Sequence, residues 1–253
     1  MKWISLKNMS FTIVLILSAF FTSPVLSSTE KKFVPEKIEL DCDEDLYVLG
    51  WSAKGHIAYM KYYDIGGLCG FCPTYEFVGQ SLVTDEIIFR KVFGEAMEYD
   101  SQGRGGDAFA IDEIMAQNYD EIYREIRKYG IKLNEKNNIL GKQFKFNNDD
   151  YSFSFSVKTR KETYHEVDTP AKFRIDVVTY ADLLIHSKNL GTKVVYKYRP
   201  QEAGYITGFS VENCLMSPFE KRVAVIMIQS YPFVEAGVKR SFRIIGAHLC
   251  VGF

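Results

Sequence analysis

The chain opens with a short segment carrying Lys2 and Lys7, followed by a mostly apolar run from Phe11 to Phe21. Small and helix-breaking residues come next, ending in Val25-Leu26-Ser27. That order is the layout of a secretory signal peptide. The run is about half the ~20 apolar residues that span a bilayer, so a cleaved leader over 1–27 is expected rather than an anchor. Residues 28–45 are polar and end in the acidic run Asp-Cys-Asp-Glu-Asp ahead of Leu46, which predicts a solvated lead-in arm.

From Leu46 the pattern becomes period two. Leu46, Val48 and the Trp51 region, then Ile57, Tyr59 and Lys61, alternate as strands do, and Ser-Ala-Lys-Gly between them predicts a turn at Gly55. The segment Thr74–Phe93 reads as strand, Val-Thr-Asp turn, strand. These elements predict an antiparallel meander.

A different period follows. Ile111, Ile114, Met115, Tyr119, Ile122, Tyr123, Ile126 and Tyr129 recur at steps of three and four and predict one amphipathic helix at about 108–129. Asp107 is its expected N-cap and Gly130 its C-terminal glycine. Arg124, Arg127 and Lys128 suit the dipole of the last turns.

From about residue 142 period two returns in Phe-Lys-Phe, Tyr-Ser-Phe-Ser-Phe-Ser-Val and a series ending in Ser241–Leu249, divided by turn signals at Asn147–Asp150, Ser187–Thr192 and Pro218. The Tyr151–Val157 alternation predicts one buried and one wet face, whereas Val223–Ile228 is apolar throughout and predicts a central strand. The expected fold class is α+β, mainly antiparallel β, with β-hairpins or a meander at both ends. The expected organisation is a signal peptide over 1–27, an arm over 28–45 and a single β-rich globular domain over 46–253 with an inserted helix.

One internal echo stands out. Gly50–Met60 and Leu215–Met227 each place a serine ahead of a short turn, then a basic residue, then apolar-Ala-apolar in a strand. The pattern resembles the hairpin of periplasmic β-propeller blades of the TolB type. It departs from them in lacking the Asp-Gly turn, and two copies fall short of the four or more blades of a propeller, so the resemblance implies paired hairpins only. The first copy also resembles uncharacterised exported bacterial proteins with a Gly-Trp-Ser…Gly…Ala-Tyr β-hairpin, a likeness that implies no activity.

Composition adds little to the pattern, and charge excludes two partner classes. Lys2 and Lys7 leave with the leader, so the net charge moves from −1 to about −3. That gives no electrostatic case for nucleic acid or an anionic membrane, and no membrane span is expected after signal cleavage. The expected location is exported, periplasmic or extracellular. The expected partner is an unknown envelope protein or ligand.

The five cysteines, at 42, 69, 72, 214 and 250, all follow the leader. An oxidising compartment permits a disulfide bond, and an odd count leaves at least one thiol free or bonded to another molecule. Cys69 and Cys72 stand in Gly-Leu-Cys-Gly-Phe-Cys-Pro. A redox pair of this form needs a strand feeding a helix, so that the helix N-terminus lowers the first thiol's pKa. Here the following residues are β-rich. The pair is therefore expected to be a loop staple, with a thiol–disulfide or thiol-sensing role for Cys69 and Cys72 as the alternative.

No other catalytic residue is singled out, and no metal or cofactor is expected. His56, His165, His186 and His248 are scattered, and a second cysteine pair is missing. His165-Glu166 has no second histidine four residues on, Gly103–Asp107 lacks the Lys-Ser/Thr of a phosphate loop, and Asp149-Asp150 lies in a turn cluster. The balance of these patterns points to a non-enzymatic β-rich binding protein.

Overall fold

The computed structural model describes residues 33–64, 73–93, 110–134, 136–165, 172–200, 205–233 and 237–253. The expected leader, Cys69, Cys72 and Asp107 lie outside these residues.

The described strands form three antiparallel sheets. The front sheet runs β1 (Glu36–Ile38), β2 (Glu44–Trp51), β3 (His56–Asp64), β4 (Pro73–Ser81) and β5 (Ile87–Phe93), with β6 (Lys132–Leu133) added to β2. The rear sheet holds β8 (Gln143–Phe146), β9 (Asp149–His165), β10 (Lys172–Ser187) and β11 (Gly191–Tyr198). Between them lies the middle sheet of β7 (Asn138–Leu140), β12 (Gly208–Met216), β13 (Arg222–Phe233) and β14 (Gly237–His248). The single helix among the described residues, α1 (Ile111–Lys128), covers the outer face of the front sheet. No helix among the described residues is long and apolar enough to cross a membrane.

Burial follows directly from strand alternation. On β13, Ala224, Ile226 and Ile228 pack on Val48, Ile57 and Tyr59 of the front sheet. The intervening Val223, Val225 and Met227 pack on Phe153, Leu183 and Ile185 of the rear sheet. A strand covered on both faces must be apolar at every position, which explains Val223–Ile228. β9 is covered on one face only: Tyr151 and Phe153 are buried, while Ser154 and Ser156 are exposed.

β12 was not expected. A bulge between Val211 and Asn213 puts Val211 and Cys214, three residues apart, into the same core, and so breaks the alternation that marks a strand. The described part of the expected arm likewise contributes β1, whose Ile38 is buried in the core.

α1 buries Ile114, Met115, Ile122 and Ile126, while Tyr119 and Tyr123 lie at the margin of the stripe and stack on each other at 5.5 Å. Its cap position is Ala110, whose N–H is taken by the Glu113 carboxylate at 3.3 Å. Gly130 closes the other end at φ +66°: its N–H reaches Arg127 O and that of Ile131 reaches Ile126 O, both at 3.0 Å. This is a Schellman cap. A Cβ at Gly130 would meet nothing within 4 Å, so only backbone strain opposes substitution. Gly130→Ala is expected to cost roughly 1 kcal/mol, read as a melting temperature about 2–4 °C lower. An unchanged melting temperature would refute the cap.

The sequence echo corresponds to two hairpins in different, face-packed sheets. Ser52 N–H bonds His56 O and Ser217 N–H bonds Arg222 O, each at 2.9 Å. The next strand returns in both copies: Leu82 N–H reaches Gly55 O at 2.7 Å and Leu249 N–H reaches Lys221 O at 2.8 Å. The two copies meet where Arg222 donates to Leu82 O at 2.9 Å.

Candidate functional site: a polar cleft around the edge of β14

β14 is an edge strand with an unbroken register against β13. Alternate residues of such a strand aim both backbone polar groups outward, where they need other partners. From Arg240 to Gly246 the front sheet and its flanking turns supply partners for five of these eight groups. The N–H groups of Arg240, Phe242 and Gly246 donate to Asp43 at 2.6 Å, Glu44 at 2.8 Å and Asp85 at 2.7 Å. Ile244 O accepts from Gln80 Nε2 at 2.8 Å, and Arg240 O from Asp43 N–H at 3.1 Å. The acidic run at 41–45 is solvated as expected at Asp41 and Asp43, but with the buried Glu44 these two also clasp β14: Asp41 holds the Arg240 guanidinium at 2.7 Å. The charges serve as acceptors for backbone that would otherwise lie open.

Between this clasp and the β4–β5 turn lies a cleft of about 380 Å³ that curls around the β14 edge. Phe242 and Ile244 line it from one face of the strand, and Ser241 and Arg243 from the other. β3 contributes Tyr59 and Lys61, β4 contributes Glu76, Val78 and Gln80, and β13 contributes Gln229 and Tyr231. Asp85, Ile87 and Arg90 complete the rim.

The buried polar groups in the cleft are paired. Lys61 bridges to Glu44 at 2.7 Å and stands 5.1 Å from the centre of the Phe242 ring. Glu76 pairs with Arg90. Tyr59 OH donates to Gln80 Oε1 at 3.3 Å, and Tyr231 OH to Gln229 Oε1 at 3.1 Å. Burial holds the Tyr59 phenol far above its ordinary pKa, so it remains a donor. Burial also raises the Glu44 carboxyl, with Lys61 opposing, and the Asp85 carboxyl, with the Gly246 N–H opposing. Arg243 is exposed; among the described residues its guanidinium hydrogen-bonds the Tyr196 hydroxyl at 3.5 Å, stands 5.1 Å from the centre of that ring, and lies within electrostatic reach of the Asp85 carboxylate. Tyrosines, amides and both signs of charge around a small void suit recognition of a small polar ligand.

Cys69 and Cys72 lie outside the described residues. The other cysteines are unpaired thiols. Burial pushes Cys42 up to about 11 and Cys214 up to about 12, which keeps both protonated and unreactive. Cys250 is exposed. Asp149 is buried and holds the turn after β10 by accepting from Ser187 Oγ and, at 3.1 Å, from Asn189 N–H. Among the described residues no three His, Cys, Asp or Glu side chains converge as metal ligands.

Sequence reasoning missed one Ser–His contact. Ser154 Oγ lies 2.7 Å from His186 Nε2, whose Nδ1 is 2.8 Å from Thr192 Oγ1. Ser154 and Thr192 are exposed on the outer face of the rear sheet, and a threonine stands where a nucleophilic triad has a carboxylate. This is a cross-strand polar ladder. The cleft was missed too, because its lining comes from segments more than 100 residues apart with no spacing in common.

No protein-family model, no curated protein and no solved structure matches the chain, so cleft and fold are read on their own geometry.

Proposed function

We infer that this is an exported, non-enzymatic binding protein of the cell envelope that holds a small polar ligand in the cleft around β14. Export rests on the leader over 1–27. Binding rests on a single observation: a 380 Å³ cleft whose lining combines buried Tyr59, Glu76 and Gln80 with exposed Arg243. The side chains that could act on a bound molecule are tied up with one another, as Glu76 is with Arg90 and Tyr59 with Gln80. That arrangement favours holding a ligand over transforming it.

The test is thermal denaturation of the leaderless chain with peptidoglycan fragments, oligosaccharides and short peptides. A ligand at about a hundred times its Kd adds roughly 2.7 kcal/mol, which for a chain of this size raises the melting temperature by about 5–10 °C. Ser241→Phe, which fills the cleft from its rim, should remove that rise. A rise that persists in Ser241→Phe moves the site elsewhere, and no rise with any of these compounds ends the binding reading.

A further inference from the structure

The clasp on β14 leaves one gap within the cleft. Of the outward backbone groups from Arg240 to Gly246, Phe242 C=O, Ile244 N–H and Gly246 C=O have no hydrogen-bond partner among the described residues, and of these only the Phe242 and Ile244 groups belong to residues that line the cleft. One acceptor and one donor, two residues apart on an edge strand, are the pair that a single extended residue bonds in parallel register. Its N–H donates to the first and its C=O accepts from the second.

We propose that the cleft recognises a short acidic peptide, one residue of which pairs its main chain with Phe242 C=O and Ile244 N–H while its carboxylate reaches Arg243. This rests on the cleft being the binding site. The length limit comes from the clasp: Asp43 and Glu44 on one side and Gln80 and Asp85 on the other already occupy the neighbouring edge groups, so a longer strand cannot add to β14. Arg243 supplies the charge selection. Its side chain lies on the strand between the two main-chain groups, it is exposed, and its planar fork has donors to spare for a carboxylate. Lys61 and Arg90, the other cations of the cleft, are committed to Glu44 and Glu76.

Titration calorimetry of the leaderless chain with acetyl-Ala-Ala-Glu tests this. Methylating each amide nitrogen in turn should weaken binding roughly tenfold at one position only, the one whose N–H meets Phe242 C=O. Arg243→Ala, at an exposed position, should weaken binding about tenfold or more while leaving the melting temperature unchanged. Equal binding by all methylated peptides, full binding by Arg243→Ala, or no heat with the parent peptide each overturns the proposal. Diacetylchitobiose separates the two readings. If it binds wild type but not Ser241→Phe while the peptides are silent, the cleft remains a site and the peptide assignment falls. If both probes are silent, both readings fall.

Discussion

Gly246→Ala is expected to lower the melting temperature by about 10 °C. A Cβ at this position would lie 2.5 Å from the Leu82 carbonyl carbon and closer still to its oxygen. Both partners are backbone, so no side chain can swing aside. Leu82 is also fixed on its other side, where its N–H bonds Gly55 O at 2.7 Å and its C=O accepts from Arg222 at 2.9 Å. Relief therefore requires the front and middle sheets to part at the seam where the two echo hairpins meet. Overpacking costs about 1–3 kcal/mol and occasionally more, and a backbone clash belongs at the upper end. At 2–4 °C per kcal/mol for a domain of this size, that gives the stated drop. Differential scanning calorimetry decides it, and a shift under 2 °C would mean that the sheets do not meet as described.

Glu44→Ala should cost about 3–5 kcal/mol at neutral pH. The carboxylate is 7% exposed, bridges Lys61 and accepts from Phe242 N–H. Removing it strands a half-buried cation and a backbone donor together. Urea denaturation reads the loss directly, and a cost below 1 kcal/mol would reduce the clasp to a surface ion pair. The same group shapes the pH response. Because burial raises the Glu44 carboxyl above its ordinary value, the folded state binds its proton more tightly than the unfolded chain does. The contribution of Glu44 is then most favourable below the unfolded value, about 4.3, and weakens as pH rises through the higher folded value. Asp85, raised for the same reason, acts in the same direction. Glu44→Gln should flatten the decline across that window, and an unchanged slope would show that Glu44 does not titrate there.

Local pattern carried far along this chain. The three- and four-residue steps of Ile114, Met115, Ile122 and Ile126 mark the buried stripe of α1, and Gly130 marks its end, because helix geometry and capping are properties of neighbouring residues. The Ser52–Gly55 turn and the all-apolar Val223–Ile228 were legible for the same reason: a strand covered on both faces shows it at every position. β12 was hidden by its bulge, which shifts the alternation by one residue.

The acidic run is a solvated face only in part, with Asp41 and Asp43 exposed and Glu44 buried, because composition says nothing about what a carboxylate will meet. Asp43 and Glu44 find the N–H groups of Arg240 and Phe242, 197 and 198 residues further on. The cleft depends on the same long-range meeting. Periodicity assigned Tyr59 and Phe242 to strands, but their sharing one void with Gln80 and Arg243 follows from two sheets closing face to face around the edge of β14. Neighbouring residues encode helices, turns and the burial of each strand face. A binding surface built where distant strands end beside one another is encoded in no neighbourhood, and it came into being only when the sheets packed.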